Sequence, residues 1–331
     1  MTGSLTSEQV DQFHREGFLV LPGVLDPAKD LAPVITEYEG ILDGLATQLH
    51  ASGDIADPYA DLPFSERLTT ISAETGKDLT QHFDFSLPQK ATRADTPIWN
   101  GPGVFSLLRH EGVLDAVESL IGPEIYANPV QHVRLKPPEQ RIVDADGVEP
   151  DKSTPWHQDN AVVTADADET ETITVWLPLG PATAENGCLE VEPGLHHGPI
   201  LPHCPQASPV GLREGGSPGL RIPSAHLDHP RVTLEMAAGD VLLMHRRTPH
   251  HSLRNRSDSV RWSFDLRFQP TGQPSGRSVF PGFVARSVAD PDTELRDADE
   301  WARLWLEARD RVSRHKPSDF NRWKVDDEMC A

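Results

Sequence analysis

The chain has 331 residues, with 30 Lys or Arg against 51 Asp or Glu, for a formal charge of −21 at pH 7. That length supports a sizeable core in one large domain or two small ones, and so acidic a surface sets aside nucleic-acid and anionic-membrane partners. Cys188, Cys204 and Cys330 form no disulfide framework and no CxxC metal site; with no signal-peptide pattern and no apolar run of the about 20 residues a bilayer requires, a reducing cytoplasm is expected.

Thr6 or Ser7 caps a first helix with Val10 and Phe13 on its apolar face, and Gly17 ends it before a short buried strand, Phe18-Leu19-Val20-Leu21. Residues 28–50 read as helix. Residues 51–103 read as irregular and polar with scattered aromatics (Tyr59, Phe64, Phe83, Phe85, Trp99), either a lid or substrate-facing insertion or a plain surface excursion. Val104 to Ile121 is helical again, closed by Gly122-Pro123. From there the period changes to two. Residues 125–136 alternate, as do Ile173, Val175, Leu177 and Leu179, and Asn186-Gly187 before Cys188-Leu189-Glu190-Val191 signals a hairpin. Arg231 to Met236, Val241 to Met244 after the Gly239-Asp240 turn, and Val260 to Phe268 complete the strands. Trp301, Leu304, Trp305 and Ala308 recur at helical spacing and place a helix on the outside of the sheet, within a C-terminal segment 295–331. The order helices, strands, helix gives an α+β fold: one domain over 1–331 with a β-sandwich or barrel across about 122–270.

Three His-x-Asp triplets occur: His82-Phe83-Asp84, His157-Gln158-Asp159 and His226-Leu227-Asp228. On a strand or at its end, residues i and i+2 point the same way, so an imidazole and a carboxylate can share one face of a metal. Two His and one carboxylate on one face, with other positions open, is the arrangement of non-haem Fe(II) oxygenases. In a barrel the third ligand returns on a distant strand. The 90 residues between Asp159 and His250 contain at least three strands, whereas His226 is too close to His250 and His82 precedes the strands. His157 and Asp159 are therefore the expected ligands, and the other two triplets read as structural. His245, His250 and His251 remain open as third ligand, although neighbours on an extended chain cannot both face the metal.

In the last strand Trp262, Phe264, Leu266 and Phe268 face one side and Arg261, Ser263, Asp265 and Arg267 the other. Ordinarily the apolar side is core and the charged side solvent, with Arg261 a surface residue. In a small-molecule barrel with helices over the apolar face, the polar face lines the cavity instead, and an inward arginine there needs an anion. Arg261 is then a candidate clamp for a carboxylate, which its planar fork binds through two hydrogen bonds.

The segments LTSEQVDQFHREGFLVLPGVL, LKPPEQ with TPWHQDN, VWLPLGPATAENGCLEVEPG and GDVLLMHRRTPHHSLRNRSDSVRWSFDLRF span nearly the whole chain in order. In them the chain resembles the phytanoyl-CoA dioxygenase (PhyH-like) family of Fe(II)/2-oxoglutarate-dependent oxygenases. The resemblance implies a double-stranded β-helix (jelly-roll, cupin-like) core flanked by helices. The family's distal register (His, Ser two on, Asn five on, Arg about eleven on) falls on His250, Ser252, Asn255 and Arg261. It favours His250 as third iron ligand, with Ser252 beside Arg261 on the far carboxylate of 2-oxoglutarate. It also implies that Gln131 or Lys136 and Trp176 border the co-substrate, although Trp176 reads equally well as core packing.

The implied reaction uses Fe(II), 2-oxoglutarate and O2, releases succinate and CO2, and hydroxylates or otherwise oxidises a C–H bond of a small molecule of the secondary-metabolite kind. Retention of Asp159 favours hydroxylation over halogenation. Residues 51–103 and 139–153 match least and are where specificity is expected to reside. Two rival readings use the same fold. A cupin-like metalloenzyme or zinc hydrolase would not need Arg261 or O2, and a non-catalytic binding barrel would not need all four positions intact. Oligomeric state is not legible.

Overall fold

The computed structural model describes residues 3–88, 92–142, 153–206, 219–314, 322–323 and 330. Among them the helices are α1 (Ser7–Glu16), α2 (Ala32–Ser52), α3 (Phe64–Thr75), α4 (Pro102–Leu108), α5 (Glu111–Ile121) and α6 (Ala298–Ser313). The strands are β1 (Phe18–Leu21), β2 (Ile125–Ala127), β3 (His132–Lys136), β4 (Ile173–Pro178), β5 (Leu189–Val191), β6 (Cys204–Gln206), β7 (Gly219–Arg221), β8 (Val232–Leu234), β9 (Val241–His245), β10 (His250–Ser252), β11 (Arg261–Pro270) and β12 (Phe283–Arg286). None of the described helices is long and apolar enough to cross a membrane.

The strands form two main antiparallel sheets. The larger runs β1-β9-β4-β11-β2-β12 with β3 also paired to β11; the smaller runs β10-β5-β8, and β6 pairs β7 apart from both. Each face of the larger sheet has its own core. Outward, Trp262, Phe264, Leu266 and Phe268 of β11 join the main apolar cluster with Tyr38 and Leu42 of α2 and Trp301 and Trp305 of α6. Phe64 of α3 stacks on Trp262 at 4.8 Å between ring centroids. A fully buried aromatic such as Phe264 contributes roughly 1.5–3 kcal/mol, so this face anchors the helices firmly. Inward, Phe18, Trp176, Leu242 and Met244 of the larger sheet pack against Leu189, Val191 and Leu234 of the smaller one. The two sheets therefore face each other.

Helix α1 starts on a capping box between Thr6 and Gln9 and ends at Gly17, whose φ of 82° suits glycine. A Cβ at Gly17 would also meet His196 Nδ1 at 2.4 Å and Thr248 Oγ1 at 2.6 Å. Thr248 donates to the Gly17 carbonyl at 2.6 Å, which ties this corner to the turn before β10.

Several boundaries depart from the sequence reading. Segment 51–103 is not uniformly irregular, because α3 lies within it. The single helix expected from Val104 to Ile121 is two, and Arg109 at the break donates to the Ala285 and Leu295 carbonyls at 2.8 Å each. The alternating run 125–136 is split into β2 and β3 where Asn128 donates its backbone N–H to the Arg267 carbonyl. Asn186-Gly187 joins no hairpin: β4 pairs β9 and β11, whereas β5 pairs β10 and β8, so the chain changes sheet there. Cys204 and Cys330, expected to be unpaired, form a disulfide with Cα atoms 5.4 Å apart, and Cys188 is the buried free thiol. A disulfide persists in oxidising surroundings, so the cysteine count does not by itself assign a reducing compartment.

Candidate metal centre

Local backbone pairing brings the sites together. His157 lies in no named strand, but it forms an antiparallel bridge with His250, the first residue of β10. Each backbone N–H donates to the other's carbonyl, at 3.0 and 2.9 Å. Residues directly opposite in such a bridge project to the same side, and the two imidazole centroids are 4.1 Å apart. Asp159, two residues beyond His157, opens a 3-10 turn and brings its Oδ1 within 3.7 Å of His157 Nε2. One ligand atom from each of His157, Asp159 and His250 lies within 4.8 Å of the others, the single such group among the described residues.

The imidazoles are oriented for metal. His157 Nδ1 lies 2.9 Å from the Pro155 carbonyl and His250 Nδ1 lies 3.0 Å from that of Thr248. A carbonyl only accepts, so each Nδ1 carries the proton and each Nε2 presents a lone pair. Burial holds the His157 ring far below its ordinary pKa and therefore neutral. Burial alone would raise Asp159, but the Arg267 guanidinium hydrogen-bonded to it outweighs that and holds the carboxylate well below its usual range. Two imidazole nitrogens and one carboxylate oxygen fit the mixed N/O preference of a ferrous ion.

Of the three histidines, His250 is the one whose ring lies beside His157 and Asp159. His251 points the other way, with Nε2 2.8 Å from Glu190 and its ring stacked on Trp156 at 4.2 Å. His245 sits at the end of β9, where its Nδ1 accepts from the Arg247 backbone at 3.1 Å. The rival triplets are not gathered into a metal group: Asp84 binds His132 at 2.9 Å, and Asp228 is largely exposed.

Beside the triad a small cavity is lined by His157, His250, Trp176, Arg261, Arg134, Thr154 and Asp265, among others. Arg261 is 3 % exposed, donates from Nε to the Gly187 carbonyl at 3.2 Å and from Nη1 to Ser263, and lies 5.6 Å from the Trp176 ring centroid. Among the described residues no carboxylate lies within ion-pair distance of it. Burial, with Arg134 nearby, pulls its guanidinium down to about 10. Ser252 stands close by: its Oγ accepts from Lys136 Nζ at 2.9 Å and from the Thr154 backbone at 2.8 Å. The structure thus gathers Arg261, Ser252, Lys136 and Trp176 at one end of the site. Gln131 is buried, its Oε1 has no partner among the described residues, and it is not part of the cavity lining.

Three supporting groups are not apparent from sequence. Arg267 and Thr174 both bind the Asp159 carboxylate. Gln158, between the two ligands, is fully buried: its backbone N–H donates to His203 Nε2 at 2.8 Å and its amide to the Arg247 carbonyl at 2.7 Å. Burial depresses His203 to about 4, so it stays a neutral acceptor.

A family profile described as phytanoyl-CoA dioxygenase (PhyH) matches residues 13–263. A 1-deoxypentalenic acid 11-beta-hydroxylase from Streptomyces arenae is 29 % identical over 275 residues, covering 81 % of this chain and 83 % of that protein. A probable phytanoyl-CoA dioxygenase from Caenorhabditis elegans is 28 % identical over 188 residues, 56 % of each chain. Among solved structures, a non-haem monooxygenase, ThoJ, aligns over 92 % of this chain and 97 % of its own with a TM-score of 0.57 at 18 % identity. A non-haem alpha-ketoglutarate-dependent carbocyclase, SnoK, aligns over 90 % and 96 % with a TM-score of 0.50 at 18 % identity.

Proposed function

The chain belongs to the phytanoyl-CoA dioxygenase (PhyH) family and is an Fe(II)- and 2-oxoglutarate-dependent oxygenase, and we propose that it oxidises a C–H bond of a small organic molecule at the His157–Asp159–His250 site. In this reading the two facing sheets are the halves of a double-stranded β-helix with the iron at its mouth. The overall likeness to the monooxygenase fold supports that arrangement.

One observation carries the co-substrate assignment: a buried guanidinium, Arg261, beside a three-ligand metal group and without a carboxylate of its own. A dicarboxylate that chelates the metal through one end and meets Arg261 with the other satisfies both. Ser252 and Lys136 join Arg261 at the far carboxylate, and Trp176 forms a wall. Iron held by His157, Asp159 and His250 would supply O2 activation coupled to decarboxylation of 2-oxoglutarate, with release of succinate and CO2. The protein's share is positional. Nδ1–H donation to Pro155 and Thr248 fixes both imidazoles, and the apolar contacts of Trp176, Leu189 and Met244 keep bulk water from the cavity.

For the substrate, a second cavity of about 260 Å³ shares Arg134, Thr154, Lys136 and Arg261 with this neighbourhood. Its other wall is Leu68, Ser72, Leu79 and Phe83 from α3 and the segment after it. Segment 51–103 is thus a substrate-facing wall in this reading; most of 139–153 lies outside the described residues. Volume and mixed lining suit a compact molecule with an apolar skeleton and polar substituents. Hydroxylation is the outcome we assign, in line with the Streptomyces relative and with retention of Asp159.

Anaerobic addition of Fe(II) and then 2-oxoglutarate tests the reading. A metal-to-ligand charge-transfer band is expected, absent when either component is omitted and shifted by a bound substrate. Metal binding without that band, or turnover without O2, would overturn it in favour of a hydrolytic metal site.

A further inference from the structure

The Asp159 carboxylate is bound at both ends by donors that the sequence reading leaves unassigned. Arg267 Nη2 donates to Oδ1 at 2.6 Å, and the Thr174 hydroxyl donates to Oδ2. Both donors belong to the middle of the larger sheet. Arg267 of β11 and Thr174 of β4 are directly opposite in register, so they project to the same side. Asp159 itself stands in a short 3-10 turn with no strand to fix it. Arg267 is further held by donation from Nη1 to the Val130 carbonyl at 2.8 Å and by Asp265 at 3.4 Å. Arg267, Thr174 and Asp159 are all under 5 % exposed.

We propose that Arg267 and Thr174 are positioning residues for the iron ligand Asp159, holding its carboxylate in the one orientation that aims Oδ1 at His157 and His250. The proposal rests on the assignment of those three residues as the metal triad. Each carboxylate oxygen accepts more than one partner, so Oδ1 can keep Arg267 and still offer a lone pair to metal. Two effects of Arg267 oppose each other. Its charge repels an incoming dication, which by itself makes removal of the arginine tighten metal binding. Its geometry holds the ligand, and losing a partner of this kind typically weakens metal affinity by about 10–100-fold. The two-donor cradle on central strands makes geometry the larger effect.

Equilibrium titration of metal-free protein with Mn(II), a redox-silent probe, reads the outcome without turnover. Arg267→Gln is expected to weaken Mn(II) binding by about 10–100-fold. Arg267→Lys keeps the charge but loses the fork, so it is expected to weaken binding too, isolating geometry from charge. Thr174→Val, which keeps shape and strand propensity, is expected to weaken it by about 10-fold. Equal or tighter binding in Arg267→Gln overturns the proposal. If that variant fails to fold, unchanged Mn(II) affinity in Arg267→Lys and Thr174→Val overturns it instead. Failure of the unmodified protein to bind Mn(II) strikes the triad assignment, a different result from normal binding in the wild type and all variants.

Discussion

Arg261 and Arg267 lie on the same face of one strand, six positions apart, and are 3 % and 4 % exposed. They are otherwise opposites. Burial works against the charge of Arg267, yet Asp159 and Asp265 overcome it and hold the guanidinium more firmly protonated than usual. Arg261 has two neutral acceptors, and burial pulls it down to about 10. Where the folded chain supplies the counter-charge, the arginine acts inside the protein. Where it does not, the proposed co-substrate would bring the missing charge.

Asp159→Ala puts the contrast under the heaviest load. It removes a metal ligand and leaves Arg267 buried with its principal partner gone, so substrate-dependent succinate formation should vanish and stability should fall by about 3–5 kcal/mol. A variant that keeps both its melting temperature and its turnover ends the triad assignment. Arg261→Ala should behave the other way round. Loss of a hydrogen-bonded charge pair to 2-oxoglutarate costs about 2–5 kcal/mol of affinity, raising the apparent KM roughly 30-fold or more. Without ligand its melting temperature should hold or rise, because an unpaired buried cation has gone; destabilisation on the scale of Asp159→Ala would show that Arg261 is a structural residue.

Acid should weaken the neutral acceptor behind the ligand segment. His203 and His245 are depressed by burial to about 4 and about 3, below the ordinary 6.5. The folded chain keeps both rings neutral while the unfolded chain protonates them below pH 6.5. Their contribution is therefore complete above pH 6.5 and declines as pH falls from there towards about 4 and about 3, at about 1.4 kcal/mol per pH unit for each ring. Melting temperatures between pH 7 and pH 5 should show that decline, with a shallower slope in His203→Gln. The smallest effect belongs to His251→Gln, which gives up one hydrogen bond to Glu190: about 1 kcal/mol, with Mn(II) affinity unchanged. Loss of metal binding there would reverse the choice of His250.

The sequence carried the parts of the site that depend on alternation. The two faces of β11 follow directly from its pattern. What it could not carry depends on which strands become neighbours. Arg267 reads like any other polar residue on the inner face until β4 is laid beside β11 and Thr174 comes opposite it. Lys136 faces Arg261 only because β3 joins the same strand. Asn186-Gly187 is a sound turn signal that misled for the same reason, since a tight turn fixes a local reversal and not the sheet that the chain enters next. The break between α4 and α5 was hidden because Arg109 is held by carbonyls contributed from far along the chain.

The bridge between His157 and His250 also has a mechanical side. It closes the intervening chain into a loop before any ion arrives, its two backbone hydrogen bonds flanked by those from Asn160 to Arg246 and from Ser252 to Thr154. An ion gripped by both imidazoles would rivet the same loop shut, and its grip belongs to the folded chain alone. Thermal stability should then climb with free metal concentration, by about 2.7 kcal/mol at a hundred times the dissociation constant. A melting curve would thus serve as an affinity meter, and a chelator as a selective way to loosen the site between the two sheets while the helix-covered core stays intact.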